Sequence, residues 1–188
     1  MRGSNIIDDV KRYSYNEKNK SLFLLFFISF FKLGFWALLN YRIGIYLRRK
    51  TRNIFILREL IKFITAISRL LIEILTGISI SYYAKIGPGM LIAHFSNVII
   101  GDGVEIGANA TLHQGVTIGV SGRDEKRGVP SIGDDFFAGA NAVIAGKIKV
   151  GNKVAVSANS FVYCDIEDNS VVSSSVLKVI NKNGTDHV

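Results

Sequence analysis

Three histidines, His94, His113 and His187, are the side chains of this 188-residue chain best suited to moving a proton near neutral pH. His94 closes Leu91-Ile-Ala-His94, and His113 sits in Thr111-Leu-His-Gln-Gly-Val-Thr-Ile-Gly119. An imidazole held outward beside a loop can serve as a general base. His187 stands one residue from the carboxyl end and reads as a surface residue. A zinc site would need a third ligand beside His94 and His113, and no paired carboxylate or thiolate stands at ligand spacing, so no metal is expected. The single cysteine, Cys164, has no basic neighbour to lower its thiol pKa and reads as a small buried hydrophobe. It excludes an internal disulfide framework and fits a reducing, cytoplasmic compartment. No phosphate-binding glycine pattern follows a strand and opens a helix.

The two histidines belong to a six-residue repeat. Its aliphatic positions are Ile86, Ile92, Ile100, Ile106, Leu112, Ile118, Ile132, Ala138, Ile144, Val150, Val156 and Val162, and many are followed by glycine. A period of six fits neither a helix nor simple strand alternation and marks a stacked architecture. The fold expected is mainly β: a left-handed parallel β-helix of hexapeptide repeats, preceded by an α-helical region. Three hexads make one triangular coil of about 18 residues, so these blocks fill roughly four coils. Two breaks interrupt the count, one between Ile92 and Ile100 and a longer one between Ile118 and Ile132. With the extra residues near Val98 looped out, His94 and His113 lie one coil apart, about one strand spacing (~4.8 Å) along the axis.

Residues 81–180 are therefore assigned to the β-helix, 1–80 to a helical region and 181–188 to a tail. The net charge of +8 resides in the first part. Residues 1–85 hold 15 Lys or Arg against 5 Asp or Glu, whereas residues 86–188 hold 8 against 10. Such asymmetry implies an anionic neighbour for the helical part alone. No basic and aromatic signature of nucleic-acid binding accompanies it, so no nucleic acid is expected as a partner. Residues 1–20 lack the order of a secretory signal. Residues 21–40 are nearly all apolar over the length of a bilayer span, interrupted by Lys32 and Gly34. They read as a helix that is buried in a helical subdomain or lies in a membrane interface, with the basic run Arg48 to Arg52 attracting anionic lipid. Residues 53–76 have the spacing of an amphipathic helix whose charges form its solvated face and which Gly77 ends. Residues 78–85 read as an extended lead into the first hexad. Peripheral contact with the inner face of the cytoplasmic membrane is thus an expectation for residues 21–76.

The motifs IGPGMLIAH, HQGVTIG, VPSIGDDFFAGANAVIAG and VGNKVAVSANSFV, in this order after a helical region, resemble the serine acetyltransferase family. They look closer still to its exopolysaccharide and capsule branch, similar to the colanic acid acetyltransferases. The resemblance covers roughly residues 55–180. It implies a homotrimer, with pairing of trimers as a further step, that binds acetyl-CoA in grooves between prisms and transfers acetyl in one ternary complex. His94 matches the catalytic base. Gly119, Gly139, Ala140, Ser157 and Ala158 match the small residues along the pantetheine arm, and Lys178 matches a terminal basic residue near the nucleotide phosphates. His113, Asp124, Glu125 and Arg127 are expected near the mouth, to bind the acceptor or orient His94.

Departures from the family matter for the acceptor. Ala93 replaces an aspartate before the base, and Ser79 replaces an acid fifteen residues before it. In the loop Arg127-Gly-Val-Pro130, Val129 replaces a histidine and the arginine is displaced by one. A site lacking these partners discriminates poorly for a small zwitterion. The acceptor expected is accordingly a sugar hydroxyl of a surface-polysaccharide precursor. Acetylation of L-serine is the alternative, and a non-catalytic β-helix scaffold is the reading from another class.

Overall fold

The computed structural model describes residues 5–14 and 20–174. Lys178 and His187 lie outside the described residues, and Cys164, expected to be buried, is exposed two residues beyond Val162. Fourteen short strands wind into a parallel β-solenoid of about five turns: β1 (Ile78–Ile80), β2 (Lys85–Ile86), β3 (Leu91–Ile92), β4 (Val98–Ile100), β5 (Glu105–Ile106), β6 (Thr111–Leu112), β7 (Thr117–Gly119), β8 (Ser131–Ile132), β9 (Phe137–Ala138), β10 (Val143–Ala145), β11 (Lys149–Val150), β12 (Ala155–Val156), β13 (Phe161–Val162) and β14 (Val171–Val172). They form three parallel sheets, ordered β1-β4-β7-β10-β13, β2-β5-β8-β11 and β3-β6-β9-β12-β14. The register repeats the hexad, with Ile80 beside Ile100 and Ile92 beside Leu112. β1 pairs along its whole length with β4, so the segment expected to be a lead-in is the first strand of the solenoid.

Each wall sends two side chains per strand inward. On the third sheet these pairs are Met90 with Ile92, Ala110 with Leu112, Phe136 with Ala138 and Val154 with Val156, all essentially buried. Phe136 is large where Ala138 is small, so volume balances within one coil. Corners are turned by Asn109, Asn141, Asn159 and Asn169, each at φ between 57° and 60°, a left-handed conformation that asparagine tolerates best among residues with a side chain.

Four helices precede the solenoid: α1 (Asn5–Tyr13), α2 (Leu22–Phe30), α3 (Leu33–Lys50) and α4 (Phe55–Thr76). The apolar stretch 21–40 is not one helix. It breaks at Lys32, and α2 and α3 meet at 112°. Lys32 Nζ donates to the Tyr13 carbonyl at 2.9 Å, so its charge anchors the bend. Among the described residues no single helix is long and apolar enough to cross a membrane.

The helices cap the open end of the solenoid, where β2 and β3 are edge strands with unpaired peptide groups. Tyr13 Oη donates to the Ile92 carbonyl (3.3 Å) and accepts from the Ile92 N–H (2.9 Å). Tyr41 Oη donates to the Ala84 carbonyl at 2.8 Å and accepts from Ile86 N–H at 3.2 Å. Arg42 reaches the Ile86 and Gly87 carbonyls at 2.6 and 2.5 Å and pairs with buried Asp9 at 2.9 Å. Asp9 in turn accepts from Met90 N–H. Burial pushes the Asp9 carboxyl up, against the opposing pull of Arg42.

α4 departs in part from the expected arrangement. Its buried residues are Thr65 and Thr76, with Arg58, Ile61, Ser68, Arg69, Ile72 and Glu73 half-buried, while most of its large apolar side chains are exposed, together with Glu59 and Lys62. The inner stripe is held by polar contacts: Arg48 Nε to Thr65 Oγ1 at 2.8 Å and Tyr82 Oη to the Thr65 carbonyl at 3.2 Å. Gly77 ends the helix at φ 66°, as its place after the apolar run predicts.

Candidate active site

His94 is exposed two residues beyond β3. The first break in the hexad count follows it as a bulge at Ser96 (φ 101°) and Asn97 (φ 52°). Gly115 N–H donates to the Ser96 carbonyl at 3.1 Å and ties the bulge to the next coil. His113 follows β6 and is half-buried. The backbone ladder sets Ala93 rather than His94 beside His113, yet the two imidazoles meet edge to face with ring centroids 5.3 Å apart. His113 is also edge-on to Phe137, at 5.1 Å. Burial first, and the neighbouring His94 second, hold the His113 pKa below its ordinary value. His113 is therefore harder to protonate than an ordinary imidazole and stands beside a solvent-accessible one.

The same corner carries four of the small residues expected along a cofactor arm. Hydrogen bonds from Ala93 N–H to Leu112 O, His113 N–H to Ala138 O, Gly139 N–H to Val156 O and Ser157 N–H to Val172 O, at 2.8 to 3.0 Å, set Ala93, His113, Gly139 and Ser157 in one column. Ala140 and Ala158 follow in the same turn. A Cβ on Gly139 would come within 2.6 Å of the Ala158 nitrogen, so glycine is needed for adjacent coils to approach there. Gly119, by contrast, ends β7 at the next corner and faces open space.

Asp124, Glu125 and Arg127 lie on the loop that leaves the prism after β7. Ser121 and Gly128 close its neck with paired backbone hydrogen bonds of 3.0 and 3.1 Å, and a 3-10 turn at Asp124–Lys126 forms its tip. All three side chains are exposed. The topology thus sets the loop's base across the first sheet from the His94 and His113 corner. Within one chain the imidazole pair is brought together, and the loop residues are rooted elsewhere.

Other participants were hidden in the sequence. Tyr13 fixes both polar groups of Ile92, two residues before His94, yet lies in a segment that reads only as polar. Ser79, which stands where the family carries an acid, donates its hydroxyl to Glu73 Oε2 at 2.9 Å, so α4 brings a carboxylate to that position. Among the described residues no group of three or more His, Cys, Asp or Glu is placed to hold a metal ion.

Residues 97–120 and 131–164 match the family described as hexapeptide repeat of succinyl-transferase. A serine acetyltransferase of Helicobacter pylori is 37% identical over 149 residues, which is 79% of this chain and 82% of that protein. The soybean serine acetyltransferase structure complexed with serine superposes with a TM-score of 0.73 at 27% identity, covering 93% of this chain and 68% of that one. A serine acetyltransferase structure in complex with CoA shares the fold, with a TM-score of 0.72 at 23% identity over 91% of this chain and 66% of that one. These relatives point to serine acetyltransferase rather than to the exopolysaccharide branch expected from the motifs. The chain belongs to the serine acetyltransferase family of hexapeptide-repeat acyltransferase enzymes.

Proposed function

We propose that the protein transfers acetyl from acetyl-CoA to the hydroxyl of L-serine, giving O-acetylserine and free CoA. The observation that carries this reading is the exposed His94 imidazole set edge to face against His113, in a chain 37% identical to a serine acetyltransferase over 79% of its length. His94 removes the hydroxyl proton as the oxygen attacks the thioester carbonyl. The tetrahedral intermediate collapses by breaking the C–S bond, and the imidazolium returns the proton to the departing thiolate. His113, harder to protonate than an ordinary imidazole, adds no second positive charge beside that imidazolium. A backbone N–H of the corner stabilises the developing oxyanion. The pantetheine arm lies along Gly139, Ala140, Ser157 and Ala158.

A homotrimer would bring a neighbour's Gly119 and excursion loop to this corner. Asp124, Glu125 and Arg127 would then reach the acceptor from the adjacent subunit. A sugar hydroxyl of a surface-polysaccharide precursor is the second reading. It is supported by Val129, half-buried where the family carries a loop histidine. The reaction would take place on the cytoplasmic side, where acetyl-CoA is available.

Thiol release from acetyl-CoA, measured with L-serine, with nucleotide sugars and with polysaccharide repeat units, decides between the acceptors. Saturable release with serine supports the first reading. Release with sugars alone overturns it in favour of the second.

A further inference from the structure

On α4 the residues Ile56, Leu60, Phe63, Ile67, Leu70 and Ile74 recur at spacings of four and three and are 43% to 81% exposed. That spacing keeps them on one face of a helix of 22 residues, about 33 Å long. The opposite face, with Ile61, Thr65, Ile72 and Thr76, is the one turned toward the chain, so this exposed stripe has no cover within the protein. An uncovered stripe of this size marks a docking surface.

Charge decides what docks. Residues 48–62, at the end of α3 and the start of α4, contain Arg48, Arg49, Lys50, Arg52, Arg58 and Lys62 against the single acid Glu59. Lys50, Arg52 and Lys62 are exposed. A second copy laid face to face would double these cations without adding enough carboxylates to compensate them. An anionic lipid surface complements the exposed Lys50, Arg52 and Lys62 while taking up the apolar stripe. No helix among those described can cross a bilayer by itself, which fits an element that lies along the surface. α2 and the residue that caps it carry a second exposed ridge, Phe23, Phe27 and Phe31, at a spacing of four.

We propose that α4, with the basic turn before it, docks the protein on an anionic bilayer surface, with the apolar face in the interfacial layer and the cations at the headgroups. This inference is independent of which acceptor is acetylated.

The test is co-sedimentation of the full-length protein with vesicles of phosphatidylcholine alone or mixed with phosphatidylglycerol. Binding is expected with the mixed vesicles, weakened by salt and weak with phosphatidylcholine alone. The double substitution Phe63→Glu and Ile67→Glu should lower binding at least tenfold and leave acetyl transfer unchanged. Lys50→Glu with Arg52→Glu should lower it by about fivefold for each cation removed. Absence of binding to mixed vesicles overturns the proposal. If, in addition, light scattering shows the α4 double variant to have a smaller assembly mass, a second copy covers the face instead.

Discussion

His94 and His113 divide the corner by exposure: the outer ring is open to an acceptor, and the inner one is wedged between it and Phe137. His94→Ala should lower kcat about 100- to 10,000-fold while leaving CoA affinity, read by calorimetry, within a factor of two or three. Because the folded protein holds the His113 pKa below its ordinary value, the unfolded chain takes up its proton first on acidification. This residue's contribution to stability is thus intact above the ordinary imidazole pKa of about 6.5 and is lost as pH falls through the lowered value. Denaturation curves at pH 7.5 and pH 5 should therefore differ less for His113→Asn than for the wild type. The two corner glycines separate fold from site. Gly139→Ala forces a methyl onto the backbone of Ala158 and should cost about 1–3 kcal/mol of stability. Gly119→Ala meets nothing within the chain and should leave the melting temperature unchanged while raising KM for acetyl-CoA.

At the scale of elements, the helices matter because a solenoid must close its end. Tyr13, Tyr41 and Arg42 satisfy the free edges of β2 and β3, and β3 is the strand that leads to His94. Tyr13→Phe leaves the Ile92 N–H and carbonyl without their buried partner, at a cost of about 1–3 kcal/mol in urea denaturation. The same change should lower kcat more than KM, since it loosens the strand before the base. Asp9→Ala strands the Arg42 guanidinium and should cost about 3–5 kcal/mol. The strands were legible in the sequence because a six-residue period admits few architectures, and the histidine pair followed from coil arithmetic. The helices were less so. Periodicity shows that α4 has an apolar face but not which way it turns, and here Thr65 and Thr76 face inward. Composition likewise could not show that Lys32 bends the chain by bonding Tyr13. Phe137 and Tyr13 reach the site region through contacts distant in sequence, which no local motif carries.

In the whole molecule, the near-neutral solenoid carries the His94 and His113 corner proposed to be catalytic, and the basic helical cap carries the uncovered apolar face. The excursion loop and Gly119 stand at a different corner from His94, which is why the proposed function draws on a neighbouring prism to complete the site. An account in which His94 drives acetyl transfer is tested most directly by free-thiol release from acetyl-CoA with L-serine, in the wild type and in His94→Ala. The wild type should release CoA in proportion to O-acetylserine formed, with saturation in serine, and the variant should be at least about 100-fold slower. An undiminished rate in His94→Ala, or bound CoA with no transfer to serine or any sugar hydroxyl, would contradict the account.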